Sequence, residues 1–380
     1  MPFLFHTPQP PAQVAPAPSY ELPFETIGSL ILVEAKINGK PARLILDTCA
    51  GVSLLTPEAA KKFELGEGRS MMIGGAGEKA QQAKLVRLTS LECGGRSVAG
   101  QPAVILDLPA GGGKKADGIL GMPFLSQYVL KIDYDKKRVQ FLSPGAPAPK
   151  DATSLELTRR FGLPEVDAEV DGLKGRVRLD TGYGGTFTFT SPTVAREKLK
   201  EKYPKRIESV TGQGLGGASV GEAIRISSFS LAGQSLNGVV ANLSADKSGA
   251  LADSGTIGLV GGETLARFVV TFDFPAGKLH LQKSTRFTEP FAGPRAGFSG
   301  VLGDNGEYTI RTVAPGSPAA EAGIAVGEKL TAIDGKDVPT LGAVGVREAL
   351  RSAPGSKLVL SLQDAAGKSR DVTIILKELL

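Results

Sequence analysis

Two short motifs carry the residues best placed to do chemistry: Asp47-Thr48, closing the run Arg43-Leu44-Ile45-Leu46, and Asp180-Thr181-Gly182, closing Arg176-Val177-Arg178-Leu179. An acidic side chain set directly after an apolar strand is desolvated, which costs free energy unless hydrogen bonds or a function compensate. For one such residue an ordinary turn is explanation enough, because Asp is common in turns. Two at equivalent places of a repeated segment need another reason. Carboxylates a hydrogen bond apart cannot both ionise cheaply, so they hold one proton between them and titrate as a unit. The ionised member can then take a proton from water while the protonated member donates to a carbonyl oxygen. That is hydrolysis without a covalent intermediate.

Other chemistries find little support. His6 and His280 are the only histidines, and His280 sits in Lys278-Leu279-His280-Leu281-Gln282, which reads as a strand. Neither a G-x-S-x-G turn nor an H-E-x-x-H helix accompanies them. Cys49 and Cys93 are the only cysteines, too few for a metal cluster, and whether they pair is left open. No metal and no cofactor are expected. Gly212-Gln213-Gly214-Leu215-Gly216-Gly217 fits G-x-G-x-x-G, but residues 218–233 alternate like a strand and do not open a helix, so a dinucleotide site is rejected. Residues 110–115 lack the Ser or Thr of a phosphate loop and read as a surface loop.

The elements that must position the aspartates are written twice. Residues 32–65 and 166–199 each give a strand, a turn (Asn38-Gly39 or Asp171-Gly172), a second strand ending in Asp-Thr, a glycine-containing loop, a further strand, and a helix opened by Pro. Residues 116–142 and 254–281 repeat a small-residue turn, an apolar pair before Gly121 or Gly261, a short helix, and a hairpin through Asp133 or Asp273. Near-equal offsets across the whole unit mean duplication. Two similar lobes facing each other would set Asp47 and Asp180 on either side of a pseudo-twofold axis. Residues 287–296 loosen into a linker, and residues 297–380 have no upstream counterpart; their strands and two helical pieces read as a small α+β domain.

The 380 residues include 49 Gly and 25 Pro, with short apolar runs between turn residues, which favours β structure in two or three domains. The net charge of +5 is scattered, without the basic patch and interleaved aromatics of a nucleic-acid binder. No apolar run approaches the roughly 18 residues a membrane span needs. Residues 1–21, rich in Pro, Ala and Gln, read as a disordered leader without the basic-then-apolar order of a signal peptide.

Taken with their downstream partners Asp117-Gly118-Ile119-Leu120-Gly121 and Ile257-Gly258-Leu259-Val260-Gly261, the two Asp-Thr motifs resemble the paired active-site motifs of aspartic proteases. The type resembled is the bacterial retropepsin-like protein with two lobes in one chain and a PDZ domain behind them. The resemblance implies a mainly β fold: lobes over residues 22–148 and 149–286, then a PDZ-like domain over 297–380. It implies an aspartic endopeptidase with Asp47 and Asp180 as catalytic pair, while Thr48 and Thr181 cross-bond the two loops and Gly182 lets the backbone approach its Asp. Gly75 and Gly77, and Gly214 and Gly216, fall at the flap hairpins that close over substrate. Phe298, Ser299, Gly300 and Val301 fall at the loop that captures a peptide carboxylate. The implied partners are an extended peptide or unfolded protein as substrate and a C-terminal tail at the PDZ domain, in an exported, periplasmic or extracellular protein. With both lobes in one chain, dimerisation is not needed to assemble the site. Two departures stand out. Cys49 replaces the family's Gly, with crowding or backbone strain as the expected consequence, and Tyr183 is larger than the usual Ala or Ser. A lapsed protease that still grips peptides is the alternative reading.

Overall fold

The computed structural model describes residues 20–75, 80–107, 116–214, 217–303 and 305–380. Nearly all of the leader, the loop at 110–115, and the flap glycines Gly77 and Gly216 therefore lie outside the described residues. The chain is mainly β. Its first described strand, Glu21–Ile27, begins one residue inside the expected leader.

The two segments that read alike in sequence make matching strand pairings around their aspartates. Lys40–Leu46, which ends just before Asp47, pairs in parallel with Gly118–Leu120; Leu173–Asp180 pairs in parallel with Gly258–Gly261. Ser53–Leu55 then runs antiparallel to Gly118–Leu120 and parallel to Pro102–Ile105. Phe187–Phe189 repeats both pairings with Gly258–Gly261 and Gln234–Ser244. Each aspartate thus leaves a central strand with neighbours on both sides, a rigid launch point because central strands have every backbone group paired. The turns that set this register are the expected ones. Asn38 and Asp171 take left-handed φ values of 50° and 45°, each followed by a left-handed glycine. Helix Pro57–Lys62 follows Thr56, whose side chain accepts from the Ala59 N–H, with Pro at its start.

The lobes are joined more intimately than two separate cores would be. Val129–Asp133 of the first lobe lies antiparallel to Phe268–Asp273 of the second, with Val129 opposite Asp273 and Lys131 opposite Thr271. Arg138–Leu142 and Lys278–Lys283 flank this pair symmetrically, and one apolar cluster runs through both lobes from Phe24 and Phe141 to Phe229 and Phe272. This shared sheet joins the two lobes.

Residues 298–375 build a separate sheet with its own core around Ile310, Leu330, Val346 and Leu360. Phe298–Leu302 is its edge strand, paired only with Tyr308–Val313 and beside helix Val338–Leu350. This domain is docked onto the lobes: Arg351 pairs with Glu263 at 3.1 Å, and Arg225 with Glu378 at 2.9 Å. Among the described residues, no helix is long and apolar enough to cross a membrane.

Candidate active site

The strands deliver Asp47 and Asp180 to one place. Each carboxylate accepts a hydrogen bond from the backbone N–H two residues on: Cys49 to Asp47 at 2.7 Å and Gly182 to Asp180 at 2.8 Å. The two carboxyls are within hydrogen-bonding reach of each other. Burial raises both above the usual carboxylate range, against the pull of the Cys49 and Ala50 N–H groups on Asp47. Asp180 rises well above it, through burial first and then the negative charge of Asp47. Both side chains are half-buried, which leaves the pair an opening to water. The arrangement is a pair of interacting carboxyls, both raised by burial, in which the charge of one favours the protonated form of the other.

The threonines lock the two loops together. Thr48 N–H donates to Thr181 Oγ1 at 3.0 Å, and Thr181 N–H donates to Thr48 Oγ1 at 3.1 Å. Each hydroxyl then donates across the lobe boundary, Thr48 to the Leu179 carbonyl at 2.7 Å and Thr181 to the Leu46 carbonyl at 2.8 Å. Both threonines are fully buried, so no water competes for these bonds.

Gly182 and Cys49 occupy equivalent positions with opposite consequences. A Cβ on Gly182 would stand 2.3 Å from the Asp47 carboxyl carbon, so only glycine fits there. Cys49 carries a Cβ at the matching place without backbone strain, because its φ is not in the left-handed region. The expected strain is absent. Its thiol reaches the Leu179 carbonyl at 3.5 Å and lies against Asp180. Burial and the charges of Asp180 and Asp47 push that thiol well above its ordinary range, so it stays neutral and is no nucleophile. Cys49 and Cys93 are both free thiols, the latter buried in strand Ser90–Cys93. Tyr183 finds room within the second lobe: its hydroxyl meets Thr188 Oγ1 at 2.9 Å and donates to the Thr211 carbonyl at 3.3 Å. Gly185 and Gly261 leave the space its ring fills.

Two hairpins stand where the flaps were expected. Arg69–Ile73 pairs with Gln81–Arg87, and the Gly75 carbonyl beyond it accepts from the Ala250 N–H of the second lobe, so this hairpin spans the lobes. Its base packs on Ala50 and Val52, next to the first aspartate loop. Ile207–Gly214 pairs with Gly217–Leu231, Gly214 facing Gly217, and Tyr183 ties it to the second aspartate loop. Val210 N–H in this hairpin donates to Ser299 Oγ at 2.8 Å, and Ser299 also meets Thr312 Oγ1 at 2.6 Å. The Ser299 hydroxyl is therefore engaged within the chain. Phe298 is buried in the core of its domain, and Gly300 is needed because a Cβ there would meet the Thr309 carbonyl. Val301 sits on the same edge strand.

Arg178 belongs to this neighbourhood, although no sequence motif marks it. It is 5% exposed, two residues before Asp180, and pairs with Glu165 at 2.9 Å and Asp253 at 2.8 Å. Arg160 joins the same two acids. The visible signal is an arginine in the strand Arg176-Val177-Arg178-Leu179 where the first copy has Ile45. His280 lies in strand Lys278–Lys283 opposite Ser154, whose hydroxyl meets its Nδ1 at 2.8 Å. No group of three or more potential ligands among the described residues could hold a metal ion.

Residues 33–124 match the family model described as aspartyl protease, and residues 309–364 match a PDZ domain model. Together they match a retropepsin-like protease with a C-terminal PDZ domain. The first match includes Asp47; Asp180 lies outside both matches. The PDZ match begins after Phe298–Leu302. No curated protein matches the chain.

Proposed function

We propose that the chain is an aspartic endopeptidase whose catalytic pair is Asp47 and Asp180, with a PDZ domain that binds protein or peptide tails. The observation that carries this reading is the convergence of two duplicated Asp-Thr loops into one coupled carboxyl pair, cross-bonded by Thr48 and Thr181. In the reaction, the ionised member of the pair takes a proton from a water held between the carboxyls. The protonated member donates its proton to the scissile carbonyl oxygen. The water oxygen adds to the carbonyl carbon to give a gem-diol; as the C–N bond breaks, one gem-diol hydroxyl returns its proton to the ionised carboxylate and the other carboxyl passes the proton it took from water to the leaving amine. An extended peptide lies under the two hairpins, and the PDZ domain raises its local concentration by holding a tail.

Cys49 favours a second reading, a lapsed protease that binds peptides, because its sulfur occupies space against Asp180. Digestion of an unfolded protein from acidic to neutral pH, with pepstatin as control, separates the two. The endopeptidase reading expects pepstatin-sensitive cleavage that Asp180→Asn abolishes. Cleavage absent from the wild type and gained in Cys49→Gly would establish the lapsed reading.

A further inference from the structure

Where both lobes and the PDZ domain meet lies a cleft of about 380 Å³ whose lining does not include the aspartates. Its charged lining is Lys137 from the first lobe, Glu263 and Arg286 from the second, and Arg347, Glu348 and Arg351 from helix Val338–Leu350. Four cations face two carboxylates, an excess of two positive charges.

These cations are not equally satisfied. Arg351 pairs with Glu263, and Arg286 with Glu289 at 3.1 Å. Arg347 is half-buried, with no hydrogen bond or ion pair from its guanidinium among the described residues. Burial, and Arg351 beside it, work against its charge. Its guanidinium is pressed so close to Gly28 that a Cβ there would stand 2.5 Å from Nη2. Tyr134, 8% exposed, also lines the cleft, and its hydroxyl has no partner. A half-buried guanidinium without a partner is costly, and an anion in the cleft would relieve it.

We propose that this junction binds a compact phosphate-type dianion. Guanidinium forks match phosphate oxygens in bidentate geometry, and a double negative charge balances the excess. The bound anion would bridge three parts of the chain and hold the PDZ helix against the lobes. The same wall supports the second aspartate loop: Ser29 Oγ donates to the Gly184 carbonyl at 2.6 Å, and the Glu263 N–H donates to the Gly185 carbonyl at 3.0 Å. Occupancy would therefore stiffen that loop from behind, whatever the loop catalyses.

The test is calorimetric titration of the full chain with inorganic phosphate at neutral pH, ionic strength held constant with sodium chloride. Saturable one-to-one binding is expected, weakened about tenfold or more in Arg347→Gln, which removes one charged hydrogen-bonding partner. Arg311→Gln, an exposed PDZ residue that does not line the cleft, should bind as the wild type does. Should Arg347→Gln fail to fold, Lys137→Gln on the exposed rim takes its place and should weaken binding several-fold. Absence of saturable binding, equal affinity in the wild type and the cleft variants, or preference for succinate over phosphate would each overturn the proposal.

Discussion

Replacing Thr181 by Val removes one hydroxyl and keeps the side chain's shape, so its effect isolates the bonds that clamp the aspartate loops. Two buried groups on the opposite lobe lose their partner, the Thr48 N–H and the Leu46 carbonyl. Both stand where Thr48 and Thr181 are 0% exposed, so water does not replace the lost bonds without parting the lobes. A buried unsatisfied group costs about 1–3 kcal/mol, which puts the loss at roughly 3 kcal/mol. Thr48→Val strands the Thr181 N–H and leaves the Leu179 carbonyl only the weaker Cys49 thiol. Their effects should nonetheless be less than additive, by about 1 kcal/mol, because either change opens the same seam. The assay is urea denaturation followed by circular dichroism, with Thr193→Val as control. Thr193 is also fully buried, but its hydroxyl bonds Thr190 and Thr256 within the second lobe. The control should lose comparable stability and keep cleavage; Thr181→Val should lose both. A loss below about 1 kcal/mol for Thr181→Val, or unimpaired cleavage, would refute the clamp.

Gly182→Ala should abolish cleavage while leaving the fold, since its Cβ would displace the Asp47 carboxyl; digestion of an unfolded protein together with circular dichroism checks both. The raised carboxyls predict a pH effect on stability. Between the unfolded carboxylate pKa of about 3.9 and the higher folded value, the native pair binds more protons than the unfolded chain, so its contribution is lost as pH rises. Asp180→Asn should flatten that fall in Tm from acidic to neutral pH. Neither cysteine should react with iodoacetamide in the native protein at mildly alkaline pH, because burial holds both thiols neutral, Cys93 at about 12; both should react in urea.

Most of this architecture was legible because duplication writes it twice. The apolar strands Arg43-Leu44-Ile45-Leu46 and Arg176-Val177-Arg178-Leu179 marked where the aspartates leave the sheet, and the turns Asn38-Gly39 and Asp171-Gly172 agree with the register of those strands. The hidden features depend on contacts far apart in the chain. The pairing of Val129–Asp133 with Phe268–Asp273 comes from the relation between lobes, which no local period reports. The fit of Cys49 depends on the distant Leu179 carbonyl, and Tyr183 on space left by Gly185 and Gly261. Arg178 reads as one more strand residue until Glu165 and Asp253 come beside it. The Ser299 hydroxyl, expected at a ligand loop, proves to be held by the hairpin at Val210.

The most direct test of the central claim is the pH dependence of kcat/KM for one unfolded-protein substrate, measured for the wild type, Asp47→Asn and Asp180→Asn. A coupled pair with one shared proton predicts a bell-shaped profile in the wild type and a loss of at least about a thousandfold in each variant, because acid and base must both be present. A sigmoidal profile with a single pKa, or substantial activity in either variant, would contradict it.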